Sequence, residues 1–256
     1  MIHVGASGFS YPDWAGVYYP VGLPAMQRLA YYAAEFSAVE LNFSYYHMPT
    51  AARLLAMSSR APAELIFTIK AHASITHERE DLAANCRAFK EAIWPWREQG
   101  RLGAVLAQFP NAFSNTPSNQ DYLRALAAEM DGVPTVVEFR RADWVRRRTF
   151  ELLRGLGLGI CCVDQPPLPE LGPPFAVVTS PVGYVRFHGR NAAKWWQHEQ
   201  AWERYDYRYT SEELEPWAPR IRQMASSAEV VYVFANNHWL GQAIDTARQL
   251  KLKLGI

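Results

Sequence analysis

"GYVRFHG", residues 183–189, alternates as a β-strand does, yet its polar face is hard to place in water. Successive strand side chains point to opposite sides, so Val185 and Phe187 share one face while Tyr184, Arg186 and His188 share the other. The remaining strand candidates are too apolar for a half-solvated sheet: "IHVGAS" from Ile2, "AVELN" from Ala38, "LIFTIKAH" from Leu65, "LGAVLAQF" from Leu102, "TVVEF" from Thr135, "GICCVD" from Gly159 and "VVYVFANN" from Val230. Helix-period stretches lie between them, such as Leu82, Cys86, Phe89, Ile93 and Trp96, or Leu214, Trp217, Ile221 and Met224.

This alternation predicts an α/β chain folded as a single (β/α)8 TIM-type barrel over residues 1–256, a fold that takes about 250 residues and buries its strands on both sides. A doubly wound open sheet would want a glycine-rich phosphate loop after its first strand, and "GASGFSYPDW" lacks the G-x-G-x-x-G spacing. Prolines 166, 167, 169, 173, 174 and 181 leave no room for a full sixth helix, so a Pro-rich loop is expected in its place.

In such a barrel one face of each strand meets the axis, and functional groups gather at the strands' C-terminal ends. Strand parity then sends Glu40, Asn42, Lys70, His72, Gln108, Glu138, Arg140, Asp164, Arg186, His188 and Asn236 toward one polar mouth. Within it, Glu40, Glu138 and His188 are the candidates for moving protons, and Lys70, Arg140 and Arg186 the candidates for holding an anion. Asn42, His72, Gln108, Asp164 and Asn236 would complete the ligand contacts, with Trp14, Tyr45 and Trp144 reaching in from loops. The acids Glu40, Glu138 and Asp164 match the bases Lys70, Arg140 and Arg186 in number, so a set of ion pairs closing the barrel top is the competing reading.

The acids and His188 are also hard-metal ligand types, but no short-range signature such as H-E-x-x-H is present and three cations would repel a dication. No cofactor is expected, with a divalent metal as the lesser alternative. "FRRADWVRRR" sets arginines 140, 141, 146, 147 and 148 around a helix start with Asp143 as the expected N-cap, either a solvated turn or a phosphate-facing rim. "KWWQHEQAWERYDYRYT" reads as an aromatic lid, while His198 and His238 read as loop or helix-start residues.

Composition bounds the partners. The chain has 26 basic and 25 acidic residues, net +1, which argues against a generic polyanion binder. Cys86, Cys161 and Cys162 have no C-x-x-C spacing and suit a reducing compartment. With no apolar run near the ~20 residues of a span and no signal-like start, the expectation is a soluble cytoplasmic protein with no membrane partner. Charge and composition leave the oligomeric state open.

The ordered segments "GASGFSYPDWAGVYYP", "VELNFSYYHMP", "FTIKAHASITH", "AQFP", "VEFRRADW", "YVRFHG", "YDYRYT" and "VYVFANNHWLGQA" resemble the domain-of-unknown-function family 72, the YecE-like proteins, across essentially the whole chain. The resemblance implies a TIM-type barrel with few additions and supplies no reaction. Where family members often carry histidine after "EFR", this chain has Arg141. Three functional readings follow from the residues: a metal-independent enzyme on a small anionic substrate, a nucleic-acid-binding or nuclease/repair protein using the arginine rim and aromatic loops, or a non-catalytic ligand-binding barrel. Fold analogy favours an enzyme of the hydrolase, lyase or isomerase type.

Overall fold

The computed structural model describes residues 1–256 and contains one eight-stranded parallel sheet curled into a barrel. Its strands are β1 (Ile2–Ala6), β2 (Ala38–Leu41), β3 (Ile66–Lys70), β4 (Leu102–Gln108), β5 (Thr135–Glu138), β6 (Gly159–Asp164), β7 (Val182–Phe187) and β8 (Val230–Ala235), paired in sequence order with β8 returning to β1. Closure between β1 and β2 is narrow: Ser7 bridges Glu40, and the Gly8 N–H donates to the Glu40 carbonyl at 2.7 Å. Gly5 permits that approach, since a Cβ there would stand 2.1 Å from the Ala38 carbonyl oxygen.

The helices are α1 (Arg28–Ala33), α2 (Ala51–Ser58), α3 (Leu82–Glu98), α4 (Pro117–Glu129), α5 (Arg147–Gly155), α6 (Ser211–Leu214), α7 (Trp217–Ser227) and α8 (Gln242–Leu254). No helix spans residues 165–181; the prolines impose the loop expected there. No helix is long and apolar enough to cross a membrane.

Two apolar clusters explain the strand faces. Val39, Leu41, Phe67, Ile69, Val105, Val137, Val185, Phe187 and Val233 face the helices in the large outer core. Ala38, Leu106, Val136, Cys161, Val163, Tyr184, Tyr232 and Phe234 fill the axis. Small residues alternate with rings there: a Cβ on Gly103 would meet the Tyr232 ring at 2.6 Å.

Asp164 departs from the expected parity. Val163 and Cys161 occupy the axis, which turns Asp164 outward, where its carboxylate accepts from Trp217 Nε1 of α7 (2.7 Å), Tyr209 OH (2.6 Å) and Arg190 (2.8 and 2.7 Å). Asp143 also departs. It lies in a 3-10 turn, Ala142–Trp144, and accepts from the Asn115 N–H and from Arg141, whereas α5 starts at Arg147 with Arg146 in the N-cap position and no side-chain cap.

Candidate functional site

At the C-terminal end of the barrel the polar groups form two levels. The lower level is sealed. Arg186 on β7 lies between two carboxylates, donating from Nη2 to Glu40 Oε1 at 2.6 Å and from Nη1 to Glu138 Oε2 at 2.7 Å. Ser7 and Tyr184 complete the Glu40 contacts at 2.6 and 2.7 Å. Arg140 Nε reaches Glu138 Oε1 at 3.0 Å, and His188 Nε2 reaches the same oxygen at 3.2 Å. The Asn236 amide donates to His188 Nδ1 at 3.0 Å, so the ring is held as the neutral Nε2–H tautomer.

Glu40, Glu138 and His188 are all fully buried. Burial alone would raise the Glu138 carboxyl, but Arg186, Arg140 and the His188 hydrogen bond outweigh it and hold the group well below the usual carboxylate range. Burial opposes the Arg186 charge too, and Glu138 and Glu40 more than restore it. Burial pushes His188 down to about 3, with Arg140 adding in the same direction.

The upper level is a cavity of about 430 Å³. It brings together six of the residues expected there: Asn42, Lys70, Gln108, Arg140, Arg186 and Asn236. Lys70 donates to Gln108 Oε1 at 2.8 Å, and its Nζ lies 4.2 Å from the centre of the Tyr45 ring. Gln108 is itself oriented by its donation to the Phe109 carbonyl at 2.7 Å. No carboxylate pairs with Lys70, in contrast to Arg140 and Arg186. Burial, followed by repulsion from Arg186 and Arg140, lowers its ammonium to about 7.

With Asp164 drawn away to Arg190, the mouth holds two carboxylates against three cations, and Lys70 is the uncompensated one. Arg140 Nη1 and Arg186 Nε are buried donors without a protein partner. No group of three or more His, Cys, Asp and Glu side chains is arranged to hold a metal ion.

Other candidates lie apart from the cavity. Trp14 is buried and donates to the His238 carbonyl at 2.7 Å. Trp144 is buried, donates to the Phe113 carbonyl at 2.7 Å and stacks on Phe139 at 4.3 Å. His72 contacts Ser74 through Nδ1 at 2.9 Å. Tyr45 touches the site only through the Lys70 ammonium. Of the arginine run, Arg141 pairs with Asp143 and Arg147 with Glu151, while Arg146 and Arg148 are exposed.

The cavity has walls that residue-by-residue reading missed. His238 lines it, stacked on Tyr11 at 4.4 Å, with Nδ1 unpartnered and its titration pushed down by burial to about 4. Strand parity offered no signal for it, since β8 ends at Ala235 and His238 has helical backbone angles at the start of the next turn. Gln200, Trp202 and Tyr205 come from the long aromatic connection after β7. Trp202 is pinned by stacking on Trp239 at 3.7 Å, and Trp195 is buried between the Arg140 and Arg204 guanidiniums at 5.7 and 5.4 Å. Gly189, at φ 85°, lets the chain leave β7 against Tyr207, where a Cβ would come within 2.8 Å.

A larger hollow of about 500 Å³ lies under the Pro-rich loop, lined by Asp164, Arg190 and several prolines. Its two charges satisfy each other, whereas the mouth carries a free cation and orphaned donors. For that reason the mouth is the better candidate.

A family model described as "Protein of unknown function DUF72" matches residues 3–256. The UPF0759 protein YunF of Bacillus subtilis (strain 168) is 29% identical over 266 residues, covering 98% of this chain and 93% of that protein. Among crystal structures, a DUF72 family protein from Thermotoga maritima MSB8 superposes with a TM-score of 0.92 at 38% identity, with 100% of both chains covered. Another, from Enterococcus faecalis V583, gives 0.87 at 26% identity, covering 100% of this chain and 96% of that one.

Proposed function

The chain belongs to the DUF72 family, and from that premise we propose that it is an enzyme acting, without a constitutive metal, on a small phosphate- or carboxylate-bearing substrate at the barrel mouth. The observation that carries this reading is the unpaired Lys70 ammonium facing a cavity beside Arg140 and Arg186. Buried charges persist where they are paired or where a ligand completes them, and Lys70 has only an amide and a ring face. Its anion would be bound by the Lys70 point charge beside the Arg140 and Arg186 guanidiniums that line the same cavity.

Glu40, Glu138 and His188 act in this reading as positioning residues. The two carboxylates hold Arg186 in the cavity floor, and neutral His188 steadies Glu138. Proton transfer falls instead to groups that reach the cavity, Lys70 and His238.

The reading is tested by thermal melts in inorganic phosphate. A saturable rise in Tm is expected beyond that given by chloride at matched ionic strength, about 2.7 kcal/mol at a hundred times Kd. Lys70→Met should lose this saturable part and keep the gradual high-salt stabilisation that phosphate gives all proteins. Because Lys70 neutralises no carboxylate, the substitution leaves no orphaned charge and should fold as well as the native chain. Equal phosphate responses in the two proteins would return the cluster to a purely structural role.

A second expectation concerns metal. The Glu40 and Glu138 oxygens accept from Arg186, Arg140, Ser7 and Tyr184, and Asp164 is occupied by Arg190, so purified protein should carry well under one equivalent of divalent ion. Elemental analysis showing near-stoichiometric metal that survives mild chelation would overturn this.

A further inference from the structure

Lys70 has a second property that anion binding alone does not require. Its amine lines the cavity, held by the neutral partners Gln108 and Tyr45, and no carboxylate pairs with it directly, Glu138 and Glu40 favouring its charge only from a distance. The other lysines differ. Lys194 and Lys253 pair with Glu203 and Glu215, Lys251 donates to the Glu35 carbonyl, and Lys90 lies on α3 on the outside of the barrel.

We propose that Lys70 is a covalent catalyst that forms an imine with a carbonyl substrate bearing a carboxylate, a 2-oxo acid or a close relative. This rests on the mouth being the anion site proposed above and goes further by naming the reacting bond. Fixed cations beside an amine disfavour its protonation, and with the Lys70 ammonium lowered to about 7 both the cation that attracts the anion and the nucleophilic neutral amine are populated at neutral pH. Arg140 and Arg186 line the same cavity as Lys70, so a guanidinium is available to the carboxylate beside Nζ.

The step balances without an added oxidant or reductant. The Nζ lone pair attacks the carbonyl carbon, a C–N bond forms, and the carbonyl π pair moves to oxygen, which takes up a proton. The resulting carbinolamine loses that oxygen as water while the nitrogen lone pair closes the C=N bond. Both original N–H protons leave in the water molecule. His238, a residue of the same cavity wall with its titration pushed down to about 4, is the imidazole that would carry a proton between nitrogen and oxygen in this step.

The test is reductive trapping of the intact protein with pyruvate and cyanoborohydride at neutral pH, followed by peptide mapping. Modification is expected at Lys70 at least tenfold faster than at Lys90, Lys194, Lys251 or Lys253, and it should be competed by phosphate. Lys70→Arg keeps a cation, so it should retain much of the phosphate-induced rise in Tm while losing all fast trapping. Labelling spread evenly over the lysines, or none at Lys70, would overturn the proposal. If phosphate still raises Tm in a Lys70-dependent way in that case, the anion site stands and only the covalent step falls. If neither is seen, both fall.

Discussion

Arg186→Met is expected to destabilise the protein by about 3–5 kcal/mol, because it leaves Glu40 and Glu138 buried with their principal counter-charge removed. For a chain of this size that corresponds to a Tm lower by roughly 6–20 °C. The Arg186 side chain is only 3% exposed and both carboxylates are fully buried, so water cannot take over its role. Chemical denaturation should show an earlier midpoint at an unchanged slope. Adding Glu40→Gln to Arg186→Met should recover part of the loss, since it removes one of the stranded charges, and that partial recovery separates charge stranding from simple loss of packing. A single variant within about 1 kcal/mol of the native protein would mean that the carboxylates find other partners and that the floor is not held by Arg186.

The second large effect is a loss of stability toward acid that depends on His188. Its folded-state titration is lowered to about 3 by burial, with Arg140 and Arg186 adding to it and Glu138 opposing. In the unfolded chain it titrates near its ordinary value of about 6.5. Between those two values the unfolded chain binds a proton that the folded one refuses. Stability is therefore complete above about pH 6.5 and falls as the pH drops toward 3.

At about 1.4 kcal/mol per pH unit, His188 alone should cost roughly 3 kcal/mol between pH 6.5 and pH 4. The groups facing the ring are Glu138 from β5, Arg140 after it, Arg186 on its own strand, Asn236 after β8, and Trp195 and Tyr205 from the connection after β7. His77 and His238 are lowered as well and contribute in the same direction, so the informative quantity is a difference. Urea melts across this range should show a shallower pH slope in His188→Asn than in the native protein. Parallel slopes would mean that His188 is protonated in the folded state. Below about pH 4.5 the depressed Glu138 carboxyl adds a further loss of the same sign in both proteins.

Both effects come from the same separation of roles. In the lower level every carboxylate is paired with a guanidinium, and Arg186 is held there as part of the cavity lining. The upper level keeps an amine and a neutral imidazole at the cavity surface, where a ligand can reach them. A site with this division can lose Lys70 at little cost in stability, whereas it cannot lose Arg186.

Period-two alternation in strands such as "VELN", "FTIKAH", "VEFR" and "YVRFHG" was sufficient to determine the barrel and its polar end. Side chains of a barrel strand have only two directions, and hydrophobic contrast identifies the inner one wherever a charged residue alternates with apolar ones. Lys70, Gln108, Arg140, Arg186 and Asn236 were legible for that reason, as was the missing helix among the prolines. "GICCVD" offered little such contrast, because its one charged residue is the last, after a run of apolar and small ones. Only the tertiary structure could turn Asp164 outward, since the groups that satisfy it, Arg190, Tyr209 and Trp217, are brought beside it by folding from 26 to 53 residues away. The same holds for the excess charge at the mouth. Composition counts acids and bases, but whether a given pair cancels depends on distances of about 3 Å that only the packed barrel fixes, and here they left Lys70 without a partner.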